Sequence, residues 1–193
     1  MLETYRSQLC SSYRKVSVLP EGGACPAATR GYQRLVAELA QQLDPETCWT
    51  IVVDSGTGMT ATAIAMAIER MGLPWRVDAV VLLKGQEDTI ARQALERIHP
   101  LRSTDDTELP VQWFARVRPR RFGKVFEDEV HECLAFAKQT GVLLDPMYTL
   151  AAWKHTQVRR AQEMNSTVII HTGGGLNLWG VAQRFPDYLE SAP

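Results

Sequence analysis

The sequence lacks three features that would each indicate a class of protein: closely spaced cysteines, an excess of one charge, and a long apolar run. Its four cysteines lie far apart with no CxxC pair, which argues against a zinc site or a disulfide framework and favours a reducing compartment, by default the cytoplasm. With 21 Lys and Arg against 22 Asp and Glu, the chain has no global field to hold a polyanion, so we expect no nucleic acid partner. No stretch approaches the ~18 apolar residues of a transmembrane helix, so we expect no membrane partner.

What the sequence does contain is an alternation of apolar, β-rich runs with helical patterns. A chain of 193 residues with 45% hydrophobic residues is long enough for one domain with a sizeable core. The alternation predicts an α/β fold with an open, mostly parallel sheet flanked by helices. The predicted strands are 16–19, 49–53, 77–83, 111–117 and 167–170, and the predicted helices are 29–43, 60–71, 88–98, 126–140 and 147–164.

The domain organisation follows from this pattern. We expect residues 1–15 to be a lead-in segment and residues 16–188 to form the α/β domain. The first predicted strand is short and runs straight into a Gly-Gly turn, which is unusual for a complete domain of this kind. The chain therefore resembles the later portion of something longer.

The most informative segment is a glycine loop between a buried strand and a helix, with the sequence Asp54-Ser55-Gly56-Thr57-Gly58-Met59-Thr60. Two glycines allow a tight turn, and the unpaired N–H groups of the helix start then point outward with the positive end of the helix dipole. Hydroxyl groups of the loop can add further donors. This arrangement can hold a phosphate group without any lysine or arginine.

Several interpretations compete for this loop. A tight turn without a ligand satisfies the same residues, and Gly56, Gly58 and Ala61 also fit the dinucleotide pattern G-x-G-x-x-A. That pattern needs an acidic residue after the next strand, where Lys84 and Gly85 stand instead. A P-loop is excluded because no Gly-Lys-Ser/Thr follows, and an aspartic protease would need an all-β scaffold and a second aspartate. The remaining interpretation is a monophosphate site for a cofactor such as pyridoxal 5′-phosphate (PLP).

Two downstream segments favour the monophosphate site. Tyr148 and Thr149 follow Asp145-Pro146 at the predicted start of a helix, where side chains can face a cleft. The segment His171-Thr172-Gly173-Gly174-Gly175 follows a predicted buried strand. Because the carboxyl ends of parallel strands share one edge of a sheet, we expect these polar segments and the glycine loop to converge there.

These motifs, in this order and spacing, resemble a known family. Pro20-Glu21-Gly22-Gly23, Gly31-Tyr32, the loop 55–60, Leu144-Asp145-Pro146-Met147-Tyr148-Thr149 and Ile170-His171-Thr172-Gly173-Gly174 look like the second half of the PLP enzymes that include D-cysteine desulfhydrase and aminocyclopropane-carboxylate (ACC) deaminase. The resemblance covers roughly residues 16–181. It implies the large domain of a fold-type II, tryptophan synthase β-like PLP enzyme, a small amino-acid substrate, and a homodimer or association with a missing N-terminal half.

The same resemblance implies roles for individual residues. The backbone of Gly56, Thr57, Gly58, Met59 and Thr60 would hold the cofactor phosphate, and Thr172 and Gly173 would also contact the cofactor. Tyr148 would be the acid/base or orienting group beside the ring, and Thr149 would be the partner of the pyridine nitrogen. A threonine in place of the deaminases' carboxylate is similar to the desulfhydrase branch, whose reaction is β-elimination to pyruvate, ammonia and sulfide.

The chain also departs from the family pattern. None of its five lysines, Lys15, Lys84, Lys124, Lys138 and Lys154, has the context of the family's Schiff-base lysine motif Asn-Lys-x-Arg-Lys. Phe122 stands where the family usually has a tyrosine. The sequence is therefore expected to be a fragment, a split subunit or a degenerate relative. A non-catalytic binding module and an NAD(P)-binding oxidoreductase domain are the alternatives.

Other conspicuous side chains have simpler expected roles. The basic run Arg116-Val117-Arg118-Pro119-Arg120-Arg121 is expected to be a solvated loop, and His99, His131 and His155 to be solvated residues. His171 is expected to make structural hydrogen bonds at least as much as to act in catalysis. Trp153 and Trp179 are expected to pack in the core or at a subunit contact.

Overall fold

A computed structural model describes residues 2–12, 16–17, 21–23, 25–101, 108–160 and 166–190. In these residues the helices and strands follow one another in the order α1 (Leu2–Ser12), α2 (Pro26–Gln42), β1 (Thr50–Ser55), α3 (Met59–Met71), β2 (Arg76–Val81), α4 (Glu87–Ile98), β3 (Val111–Ala115), α5 (Glu127–Thr140), α6 (Thr149–Arg160), β4 (Thr167–Ile169), α7 (Gly175–Arg184) and α8 (Asp187–Glu190). None of the helices in these ranges has the length and apolar character needed to cross a membrane.

The four strands form one parallel sheet in the order β3-β2-β1-β4. The chain therefore moves from β1 to β2 and β3 on one side, and returns to the other side of β1 with β4. This change of direction places a topological switch point at the carboxyl end of β1, which is where open α/β sheets bind ligands. The predicted α/β fold with an open parallel sheet is confirmed.

Both faces of the sheet are covered, which explains why β1 is apolar without alternation. On one face, Ile51 and Val53 pack with α3 and α2 in the larger core cluster. On the other face, Val52 packs with Ala151 and Ala152 of α6. Helix α3 is buried nearly all round, as its Ala-, Ile- and Met-rich sequence predicts.

Most predicted elements are found within a few residues of their predicted ends. Helix α5 ends at Gly141, whose φ of 75° gives the left-handed C-terminal cap predicted for that glycine. Helix α6 begins at Thr149 rather than 147, because Asp145 caps it, and the predicted end at 164 lies outside the described residues. Helix α7 was not predicted.

The predicted first strand is wrong where the structure describes it. Val16 and Ser17 belong to no strand, and residues 18–19 of the prediction lie outside the described residues. The lead-in segment 1–15 contains α1, and its separation from the domain stays a prediction.

One prediction about a side chain outside the glycine loop is also wrong, and another is narrowed. His155 is buried, since its Nε2–H donates to Asp78 at 3.0 Å and its ring lies against Phe114 at 4.5 Å between centroids. Trp179 is 73% exposed and does not pack in the core, whereas Trp153 packs against Phe136 at 4.7 Å between centroids, as predicted. A subunit contact of Trp179 stays a prediction.

Candidate functional site

A cavity of about 590 Å³ lies at the carboxyl end of β1, at the switch point of the sheet. It is lined by the end of β1, by the glycine loop, and by residues from four later segments of the chain. The lining residues are Asp54, Ser55, Gly56, Thr57, Gly58, Met59, Thr60, Leu83, Phe122, Tyr148, Thr172 and Gly174. The convergence predicted from the sequence is thus present as one cavity.

The glycine loop borders this cavity along residues 55–60. Thr62 is the first residue of α3 whose N–H bonds back to the loop, to the carbonyl of Gly58 at 3.0 Å. Within the described part of the chain, no acceptor is bonded to the N–H groups of residues 56–60. These donors are therefore available to an anion, and the helix dipole favours negative charge at this point.

Ser55 adds a second, independent sign of a ligand site. Its side chain is only 3% exposed, lines the cavity, and has an Oγ without a hydrogen-bond partner among the described residues. A buried hydroxyl without a partner is costly, and an anion beside Gly56–Thr60 would provide the missing acceptor. The loop therefore fits a phosphate group, as the family resemblance implies.

Helix α2 and the packing of Gly58 keep the loop in place. The Tyr32 hydroxyl of α2 and the Thr60 hydroxyl are 3.0 Å apart. Gly58 has a φ of 80°, and a Cβ there would lie 2.5 Å from the Cβ of Ala94 and 3.0 Å from the Trp113 ring. Only glycine can occupy this position, since both its backbone conformation and its surroundings exclude a side chain.

Asp145 builds the turn that carries Tyr148. The Asp145 carboxylate is fully buried and accepts hydrogen bonds from the N–H groups of Met147, Tyr148 and Thr149 at 2.9 to 3.1 Å. It thus satisfies three donors at the start of α6 and aims the Tyr148 ring at the cavity. Gly174 borders the same carboxylate, because a Cβ at Gly174 would lie 2.3 Å from Asp145 Oδ2.

Two arginines of the basic run 116–121 bind the turn that carries Tyr148. The prediction that this run is a solvated loop is therefore wrong for these two residues. Arg116 and Arg120 are 5% and 4% exposed and donate to backbone carbonyls of the turn, at Pro146 and Met147. Arg120 also forms a buried ion pair with Glu129 of α5. Burial, followed by the neighbouring Arg120 charge, lowers the pKa of Arg116 to about 10, so it remains charged at neutral pH.

Thr172 and Asp54 meet on the floor of the cavity. The Thr172 hydroxyl donates to Asp54 Oδ1 at 2.5 Å. Burial raises the pKa of Asp54, the Asp145 charge also raises it, and the Thr172 hydrogen bond opposes this. His171 makes structural hydrogen bonds. Its Nε2 donates to Leu143 O at 3.0 Å, and its Nδ1 accepts from Gly173 N at 3.2 Å.

The Tyr148 phenol shares the cavity with Phe122, whose ring meets it edge-on at 6.0 Å between centroids. Burial raises the pKa of Tyr148, and the charges of Asp145 and Asp54 raise it further. The phenol therefore keeps its proton at neutral pH. It can donate a hydrogen bond to a ligand in the cavity.

Two of the predicted site residues do not line the cavity. Gly173 is absent from the lining, although its neighbours Thr172 and Gly174 are present. Thr149 is 1% exposed, and its hydroxyl donates to Asp145 Oδ2 at 3.0 Å and accepts from Asp145 N at 2.8 Å. The remaining predicted residues, Gly56, Thr57, Gly58, Met59, Thr60, Tyr148 and Thr172, all border the cavity.

Comparisons with known proteins define the class of protein. No family model matches the chain, but a rice protein named "Putative D-cysteine desulfhydrase 2, mitochondrial" is 36% identical over 92% of this chain and 47% of its own length. A Pyrococcus horikoshii protein named "Putative 1-aminocyclopropane-1-carboxylate deaminase" is 26% identical over 89% of this chain and 53% of its own length. A D-cysteine desulfhydrase of Klebsiella pneumoniae is 26% identical over 81% of this chain and 50% of its own length.

A solved structure shows the same fold. The crystal structure of an ACC deaminase homologue matches with a TM-score of 0.73 and 22% identity, covering 96% of this chain and 57% of that one. The 36% identity to the rice protein confirms the family predicted from the sequence motifs, so the chain belongs to the D-cysteine desulfhydrase and ACC deaminase family. The chain spans about half the length of the curated relatives that it matches.

Proposed function

We propose that the chain binds PLP in this cavity and forms part of an enzyme of the D-cysteine desulfhydrase type. The observation that carries the proposal is the cavity itself, in which bare backbone donors, an unpaired buried hydroxyl and the Tyr148 phenol face one another. A phosphate-bearing ring compound has a partner there for its anionic end and a polar aromatic neighbour for its ring. The names of the similar proteins support the same assignment.

The cavity residues of this chain would have separate roles in binding PLP. Backbone N–H groups of residues 56–60 and Ser55 Oγ bind the phosphate. Tyr148 donates to the ligand, and the apolar side chains of Leu83 and Phe122 border it. PLP, when bound, supplies an electron sink that stabilises negative charge on the amino acid.

We propose β-elimination from a small amino acid, with D-cysteine as the leading substrate and sulfide, ammonia and pyruvate as products. This reaction needs a lysine that bonds the cofactor, and no lysine is among the cavity-lining residues of the described chain. We therefore assign that lysine to a polypeptide segment outside this sequence. Association with a separate N-terminal half would bring such a segment to the cavity, whereas a homodimer of these 193 residues would add only the five lysines already in the sequence.

The missing lysine equally favours a second candidate, a binding module that holds PLP or another phosphate ester without catalysis. Borohydride reduction of the PLP-loaded chain, followed by peptide mass spectrometry, separates the two when a candidate partner segment is added. Labelling of a partner lysine, together with sulfide release from D-cysteine, supports the enzyme. Binding of PLP without lysine labelling and without sulfide release supports the binding module.

The cofactor site itself is tested by a matched pair of variants at Gly56, whose Cβ position meets no atom within 4 Å. Gly56→Asp places a carboxylate beside the phosphate donors, whereas Gly56→Asn has the same size without the charge. Since two like charges about 4 Å apart at a protein surface repel by a few kcal/mol, we expect Gly56→Asp to weaken PLP binding by at least about tenfold. Gly56→Asn should weaken it by much less.

Equilibrium dialysis with PLP, in competition with inorganic phosphate, measures both variants and the unmodified chain. Failure of the unmodified chain to bind either compound would contradict the proposed site. Equal losses in the two variants would mean that bulk, and not charge, matters at Gly56, so that no anion is held by the loop.

A further inference from the structure

The turn Glu21–Gly23, which precedes α2, packs against the glycine loop although it is not among the described residues that line the cavity. A Cβ placed on Gly22 would lie 2.4 Å from the Thr57 hydroxyl oxygen, 3.2 Å from Thr57 Cβ and 3.0 Å from Met59 Cγ. Since carbon atoms in favourable contact are about 3.5–4.0 Å apart, a side chain does not fit there. The turn can therefore reach the loop only because residue 22 is a glycine.

The atoms that a Cβ at Gly22 would meet have little freedom to move aside. Thr57 is β-branched, so rotation about its χ1 is restricted. Met59 is 3% exposed and packs in the larger core cluster. A side chain at residue 22 would therefore displace the loop at Thr57 or push the turn away from it.

The two halves of the glycine loop are held differently. The second half is fixed by the packing of Gly58 and by the hydrogen bond between Thr60 and α2 described above. In the first half, Gly56 is exposed, and a Cβ there would meet no atom of the described chain within 4 Å. Because Thr57 has a glycine on each side, its peptide groups reorient easily unless a contact holds the side chain. Gly22 provides such a contact.

We propose that Gly22 is a positioning residue of the anion site, which acts through Thr57 to hold the backbone donors of Gly56 and Thr57 in the geometry that binds a phosphate group. This inference rests on the proposed function and deepens it. It adds to the site a residue from outside the cavity lining. It also couples the segment before α2 to the ligand, because the turn and the loop must move together.

Gly23 provides a matched control in the same turn. Its φ of 67° is close to the 71° of Gly22, so an alanine at either position carries a similar backbone strain. A Cβ at Gly23 would lie 3.7 Å from Ala28 Cβ, which is an ordinary contact. The two substitutions therefore differ in the clash with the glycine loop.

The test measures binding of pyridoxine 5′-phosphate to the full chain by titration calorimetry. This compound carries the phosphate but has no aldehyde to react with lysines. We expect Gly22→Ala to weaken binding by about tenfold or more relative to Gly23→Ala, because a displaced N–H loses its charge-assisted hydrogen bond to the phosphate. Gly23→Ala should bind nearly as well as the unmodified chain.

Two readouts separate positioning from general damage to the turn. Thr57→Ala removes the hydroxyl oxygen nearest to the new methyl group, so Gly22→Ala should cost less affinity in that background than in the unmodified chain. The phosphorus NMR resonance of the bound ester should shift in Gly22→Ala and stay in place in Gly23→Ala. An equal loss of affinity in both backgrounds, or an unshifted resonance, would overturn the proposal.

A measurement on the unmodified chain covers the case in which Gly22→Ala does not fold. The Cys25 N–H donates to Gly23 O at 2.7 Å, so its hydrogen exchange reports opening of the turn. Pyridoxine 5′-phosphate should slow the exchange of this amide, whereas the hydrogen-bonded Thr47 amide, which lies before β1, should not change. If the glycine-loop amides slow and the Cys25 amide does not, the turn is not coupled to the ligand and the proposal is wrong.

The remaining outcomes separate this inference from the proposed function. Equal affinities of Gly22→Ala and Gly23→Ala for pyridoxine 5′-phosphate would overturn the role of Gly22 while the phosphate site stands. If neither this ester nor inorganic phosphate binds the unmodified chain, the proposed function and this inference are both wrong.

Discussion

At the scale of the residue, Asp145 determines how Tyr148 meets the cavity. A carboxylate with no exposed surface is tolerated only if its oxygens are satisfied, and here three backbone N–H groups and the Thr149 hydroxyl do so. The same charge disfavours ionisation of the nearby phenol. One side chain therefore sets both the position and the proton affinity of Tyr148.

Substituting Asp145→Asn tests both effects. The amide cannot accept at both ends, so at least one buried donor loses its partner, and we expect a loss of about 1–3 kcal/mol in the free energy of unfolding by urea denaturation. The pKa of Tyr148 should also fall toward its ordinary value, since the Asp145 charge raises it. Ultraviolet titration of the tyrosines, with a Tyr148→Phe protein subtracted, measures that shift.

The control for this prediction is Asp44→Asn. Asp44 is exposed and accepts from Glu46 N and the Thr47 hydroxyl in a surface turn. Because water can replace those bonds, the loss should stay below about 1 kcal/mol. An Asp145→Asn protein as stable as the Asp44→Asn protein, or one with an unshifted Tyr148 titration, would contradict the positioning role.

The pH dependence that follows from Tyr148 has a definite sign. A phenol whose pKa is raised in the folded state binds its proton more tightly there than in the unfolded chain. Its contribution to stability is therefore complete below the ordinary value of 10 and is lost as the pH rises through the raised pKa.

How much of the site the sequence predicts can be seen residue by residue. The loop 56–60, Tyr148 and Thr172 were found because glycines, hydroxyls and strand ends form local patterns with a known geometry. Arg116 and Arg120 were misjudged because their acceptors, the carbonyls of Pro146 and Met147, are 26 to 31 residues away. A run of charge carries no signal of what it will fold against.

At the scale of the element, the connection after β3 and helix α5 hold the start of α6 through a buried ion pair. Arg120 and Glu129 are 2% and 0% exposed at their side chains, and Lys154 of α6 approaches Glu129 at 3.6 Å. Arg120 also donates to Pro146 O in the turn before α6. Three segments of the chain thus share one charge cluster.

Removing one partner of this pair should cost much more than removing both. We expect Arg120→Met to destabilise the fold by about 3–5 kcal/mol in urea unfolding, because Glu129 is left with too little positive charge. The double change Arg120→Met with Glu129→Met should recover a large part of that loss, since no buried charge then lacks its partner.

The exposed pair next to it provides the matched control. Arg118 and Asp128 are bonded at 2.8 Å with side chains 42% and 69% exposed. Arg118→Met should therefore cost at most about 1 kcal/mol. Comparable losses in Arg118→Met and Arg120→Met would show that burial of the Arg120 pair has no energetic consequence.

Element types were easier to predict than their ends or their pairing. Strands β1 and β2 have apolar runs bounded by turn residues, and α3 has a long run of helix-forming residues, so each signal is local. The short β4 follows residues outside the described part. Helix α7 begins at the third of three consecutive glycines, which by themselves favour a turn. Gly174 has a φ of 94°, and the Asp145 carboxylate leaves no room for a Cβ there, so this glycine is required by a tertiary contact.

At the scale of the whole molecule, the cavity exists because a parallel sheet gathers distant segments at one edge. β1 and β2 are central and buried, whereas β4 is a three-residue edge strand with partly exposed residues. The floor of the cavity therefore joins the most protected part of the sheet to one of its least protected parts. A ligand that contacts both parts should therefore stabilise the edge strand β4 and the segment after it against local opening.

Amide hydrogen exchange with and without PLP tests this picture of one shared cavity. At a ligand concentration 100 times the dissociation constant, amides that exchange only from the free protein should slow by about 100-fold. We expect this slowing at residues 56–60, which bind the phosphate directly, and at Thr172 and Gly174, which border the same cavity after β4. The amides of β3, at the opposite edge of the sheet, should change little and serve as the internal control. Slowing confined to residues 56–60 would show that the loop holds an anion alone, without the rim formed by Thr172 and Gly174.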